Sequence, residues 1–76
     1  MSDTKEKLHA DLLHATFTSV DADDVARWIK DLGDGKVDDV LEEVDYEIDC
    51  LGLTRKYPQA KRVQALAARI RTLYSA

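Results

Sequence analysis

The sequence predicts an all-α protein, a small four-helix bundle or an orthogonal helical domain, on three observations. Apolar residues recur at helical spacing along most of the chain. The strongest break, Gly33-Asp34-Gly35, and the Gly52 to Pro58 stretch fall between those periodic segments. The chain has 76 residues and neither internal repeat nor low-complexity tract, so it reads as one helical domain over 1–76.

Ser2 and Asp3 can cap a first helix, with Asp3 and Glu6 at capping-box spacing, and Leu8, Leu12 and Ala15 then share a face beside Leu13 and Phe17. This helix is expected over about 4–16. Thr16-Phe17-Thr18-Ser19 mixes β-branched and cap-forming residues and breaks it. Asp21 or Ser19 caps the second helix, about 21–32, whose stripe is Ala22, Val25, Ile29 and Leu32. Trp28 stands at the edge of that stripe, a position that favours a core role over a partner contact.

Helix three, about 36–51, carries Val37, Val40, Leu41, Val44, Ile48 and Leu51 on one face and meets Gly52 as a C-cap. Tyr57 is expected to be extended before Pro58, which suits the first turn of helix four, about 58–74. Val63, Leu66, Ala67, Ile70, Leu73 and Tyr74 line one side of that helix. The expected centre of the core is Leu41, Val44, Ile48, Val63, Leu66 and Ile70.

Few chemistries fit these residues. Cys50 is the only cysteine, so no internal disulfide and no Cys-rich zinc site can form, and a half-buried structural thiol is expected. His9 and His14 are about 140° apart on a helix, which does not make a metal pair. Asp11 and His14 suit a solvated ion pair better than a metal site. Asp34-Gly35-Lys36-Val37-Asp38-Asp39 fails the calcium-loop pattern, since Lys36 occupies a position that needs an oxygen ligand, and there is no Gly-rich phosphate loop. Acids on a convex helix face stay ionised and solvated, not poised for acid–base work. The expectation is therefore no enzyme, no metal and no cofactor. No apolar stretch approaches the roughly 20 residues of a membrane span, so a soluble, cytoplasmic protein is expected.

Charge is the informative feature. The formal net charge of −4 divides into −1 over residues 1–20, −9 over 21–49, where twelve acids face Arg27, Lys30 and Lys36, and +6 over 50–76. The stretch Asp38 to Asp49, DDVLEEVDYEID, holds seven carboxylates and no base. A negative wall steers encounter with a basic partner and discriminates by charge, as a nuclease inhibitor, a phage-encoded antagonist or a nucleic-acid mimic requires, so an adaptor or inhibitor of another protein is expected. Asp38, Asp39, Glu42, Glu43, Asp45, Tyr46 and Glu47 are accordingly the expected partner-binding residues.

Arg55, Lys56, Lys61 and Arg62 form a possible second surface. It supports two alternatives, nucleic-acid binding near a helix N-terminus and charge-driven head-to-tail self-association giving a weak homo-oligomer. The acids upstream disfavour nucleic acid, and helix four offers base edges little beyond Gln59 and Gln64.

Asp23 to Gly33, DDVARWIKDLG, resembles the opening helix of a sterile alpha motif domain, and Arg62 to Leu73, RVQALAARIRTL, is similar to that family's long closing helix. The resemblance implies a helical interaction module, in some members self-associating through an acidic middle surface and a basic closing-helix surface.

Overall fold

The computed structural model describes residues 3–74, which form α1 (Lys5–His14), α2 (Ala22–Gly33), α3 (Val37–Leu53) and α4 (Tyr57–Tyr74), with no strand among the described residues. Thr4, not Asp3, caps α1: its Oγ1 accepts the Lys7 N–H at 3.1 Å. Ser2 lies outside the described residues. The helix stops at His14 because Ala15 turns extended, and Leu13 stays 57% exposed, leaving Leu8 and Leu12 as the buried face. α2 begins as expected, with a capping box in which Asp21 accepts from the Asp24 backbone and Asp24 from the Asp21 backbone. Trp28, at the edge of the α2 stripe, takes the core role expected of it: it is fully buried and meets Phe17 edge-to-face at 5.4 Å.

The two following joints have one backbone design. After α2 the Lys36 N–H reaches back to Asp31 O at 2.9 Å around Gly35, whose φ is +85°. After α3 the Lys56 N–H reaches back to Leu51 O at 2.8 Å around Arg55, whose φ is +60°. Both closures are the six-to-one bond of a Schellman end, with the left-handed residue just before it. The expectation that Gly52 caps α3 is therefore corrected. Gly52 lies inside the helix, and Arg55 takes the left-handed position that a glycine fills in the first joint. Tyr57, expected extended, is the first residue of α4, and Pro58 follows in the first turn, where its missing N–H leaves nothing unpaired.

α4 runs back along α3, as the Asp45–Arg71 pair and the adjacency of Gly52 to Tyr57 and Ala60 indicate. Val44, Val63, Leu66 and Ile70 are buried as expected, whereas Leu41 and Ile48 are only half-buried on the flank. The most buried line on α3 is Val40, Val44, Glu47 and Leu51. At 100° per residue this face is turned about 40° from the middle of the apolar stripe, towards Glu47. α1 closes the other side through Leu8 and Leu12, and Arg69 of α4 holds both Asp3 and Asp11, each at 2.7 Å. The radius of gyration, 11.7 Å, is close to the roughly 11 Å of a compact chain this long, so the four helices close on one core.

Candidate partner-binding surface

The seven acids of α3 do not form one wall. Glu47 is fully buried: its carboxylate accepts the Thr18 and Ser19 backbone N–H groups, the latter at 2.9 Å, and the Ser19 hydroxyl. It fastens the α1–α2 connection to α3, so its place in the expected binding surface is withdrawn. A carboxylate inside the fold is tolerable because its oxygens meet donors, two of them peptide groups of a segment with no helical partners of its own.

Glu43 is half-buried and also occupied. Its oxygens accept from the Trp28 indole N–H and from Arg27 at 3.0 and 3.1 Å. Arg27 also lies 3.6 Å from Asp24, and the Glu43 hydrogen bond is the main cause holding the guanidinium charged more firmly than usual. Asp45 pairs with Arg71 at 3.5 Å, both half in solvent. Asp38, Asp39, Glu42 and Asp49 are exposed and make no ion pair among the described residues.

Tyr46 is 65% exposed and is one wall of an open cleft of about 400 Å³. Val20 and Ser19 of the α1–α2 connection, Asp24 and Arg27 of α2, and Glu42 and Glu43 of α3 complete it. Ser19, which Glu47 holds against α3, brings the connection to one side of the cleft. An apolar residue, an exposed aromatic and three carboxylates thus share one concavity with a single arginine. Sequence reading found Glu42, Glu43 and Tyr46 but missed Val20 and Asp24, which reach the site only through the folded connection.

The basic end is split as well. Arg69 and Arg71 are paired with acids, whereas Arg55, Lys56, Lys61 and Arg62 are exposed with no ion pair among the described residues. Arg62 lines a separate cleft of about 250 Å³ with Asp11, His14 and Gln59, between α1 and α4. Lys61 lies one turn on from Tyr57, at the other side of α4. The expected Asp11–His14 pair is absent, because Asp11 is taken by Arg69. His9 Nε2 instead meets the Tyr74 hydroxyl at 2.6 Å, and Lys5 lies 4.5 Å from the Tyr74 ring centroid. Burial there raises the Tyr74 pKa. Cys50 is a half-buried free thiol.

Compared with protein-family models, with curated proteins and with solved structures, the chain gives no match. The likeness to the sterile alpha motif rests on α2 and α4 alone, with a single helix between them. No helix among the described residues is long and apolar enough to cross a membrane.

Proposed function

We propose that the protein is a non-catalytic binding module whose cleft between the α1–α2 connection, α2 and α3 takes a basic segment of another protein. One observation carries the reading: Tyr46, 65% exposed, lines with Glu42 and Glu43 a concavity that Val20 also lines. An aromatic ring with two torsions offers contact area at low entropic cost, and a lysine or arginine stem can lie on it while its head meets a carboxylate. Glu42 is exposed, makes no ion pair among the described residues and is available at once. Glu43 changes partner: an incoming guanidinium competes with Arg27 for oxygens that the Trp28 N–H keeps in place. Asp38 and Asp39 stay outside the contact and add to the field that speeds encounter.

The test is capture from the source cell by the wild type and by Tyr46→Ala and Glu42→Gln variants, followed by calorimetry on the captured partner. Both variants should keep the helical spectrum, and Tyr46→Ala should weaken binding about tenfold or more, as truncation of an interface anchor does. Equal affinity of all three proteins defeats the reading.

A further inference from the structure

The end of α3 leaves apolar side chains in solvent. Leu53, its last residue, has 85% of its surface exposed, and Tyr57, at the start of α4, has 57%. Both line a groove of about 590 Å³ together with Ile48, Gly52 and Ala60, and the only charged side chain in that lining is Asp49. The groove shares no residue with the Tyr46 cleft.

Gly52 has no use inside the monomer. It lies within α3, where glycine weakens a helix, and a Cβ built on it meets nothing within 4 Å, so no neighbouring helix of the same chain presses close enough to call for it. An exposed apolar knob, Leu53, therefore stands next to an open hole above Gly52.

We propose that a second copy of this chain fills the groove, in a closed two-fold dimer in which Leu53 of each copy lies on Gly52 of the other. A two-fold contact needs both halves of every interaction on one surface, and this surface carries them in matching steps on either side of its centre. Asp49 is three residues before Gly52 and Lys56 three after Leu53, while Ile48 is four before and Tyr57 four after. The bond from the Lys56 N–H to Leu51 O, 2.8 Å, keeps that lysine at the end of α3. With the two α3 helices antiparallel across the axis, Asp49 of one copy meets Lys56 of the other, and the Tyr57 ring of one covers Ile48 of the other. Neither Asp49 nor Lys56 has an ion pair among the described residues of its own chain. A uniformly acidic partner would be opposed by Asp49 in the groove, and a uniformly basic one by Arg55 and Lys56 just beyond it; a second copy brings both signs. The apolar contacts supply the affinity, and the exposed charges set the register.

Sedimentation equilibrium of the full chain tests this on the wild type, Leu53→Ser, Gly52→Leu, Asp49→Lys, Lys56→Asp and the double variant Asp49→Lys with Lys56→Asp. Leu53, Asp49 and Lys56 are exposed and a side chain at position 52 has room, so thermal melts should show every variant folded. The wild type should reach the mass of a dimer and stop there. Leu53→Ser and Gly52→Leu should each weaken dimerisation about tenfold or more. Asp49→Lys and Lys56→Asp each set like charges against one another across the axis and should weaken it roughly fivefold, and the double variant should return to near the wild-type constant. A wild type that stays monomeric up to its solubility limit, a dimer that ignores both Leu53→Ser and Gly52→Leu, or a double variant as weak as the singles overturns the proposal. So does a mass that keeps rising with concentration, the mark of a head-to-tail chain.

Discussion

Glu47 is the residue whose substitution separates a buried fastening from a surface charge. Its carboxylate receives two peptide N–H groups and a hydroxyl inside the fold, so Glu47→Gln turns an acceptor oxygen into an NH₂ group facing donors. Urea unfolding should report a loss of about 1–3 kcal/mol, against less than about 0.5 kcal/mol for the exposed Glu42→Gln. Arg55→Gly should act the other way and stabilise by about 1 kcal/mol in the same measurement, because glycine relieves the left-handed strain. Asp3 supplies a titration test. Arg69 hydrogen bonds hold its carboxyl below the ordinary 3.8, so its stabilising contribution is complete above that pH and is lost as pH falls through the lower folded value. A carboxyl carbon-shift titration should place the Asp3 midpoint below 3.8 in the wild type, and Arg69→Gln should move it back up.

At the level of elements, four helices and their order were legible because apolar periodicity and the Gly33-Asp34-Gly35 break are local signals. The facing of α3 was less so. Six apolar residues span a broad arc, and the choice of its centre depends on which neighbours press on it: Trp28 and the α1–α2 connection pull the buried face towards Glu47. The 4-3-4 spacing of Val40, Val44, Glu47 and Leu51 was visible, but a glutamate on a buried line looks like a surface residue until its donors, Thr18 and Ser19, are in place. The second joint was hidden for a related reason, since its left-handed residue is an arginine and no composition rule points there. The packing of α4 on α3 is tested by Ile70→Ala, which should cost about 2–5 kcal/mol, beside the exposed Leu13→Ala, which should cost less than about 1. Equal melting temperatures for the two would mean that α4 faces another way.

Across the whole molecule, the charge division legible in the sequence persists, but the fold thins it from both ends. Arg27, Arg69 and Arg71 pair with acids, Glu47 is withdrawn inside, and what remains is an acidic ridge on α3 ending in the Tyr46 cleft and a basic tip at Arg55, Lys56 and Lys61. The candidate cleft was only partly readable because Val20 and Asp24 join Tyr46 through the connection that Glu47 ties down. Whether that cleft is a site, and not merely one part of a diffuse negative surface, is measured most directly by titrating a lysine-rich amphipathic peptide into the isotopically labelled full chain and following backbone amide shifts. The account predicts saturable shifts concentrated at Val20, Asp24, Arg27, Glu42 and Tyr46, and their loss in Tyr46→Ala. Shifts spread evenly over Asp23, Asp34, Asp38 and the other exposed acids, unchanged by Tyr46→Ala, would contradict it.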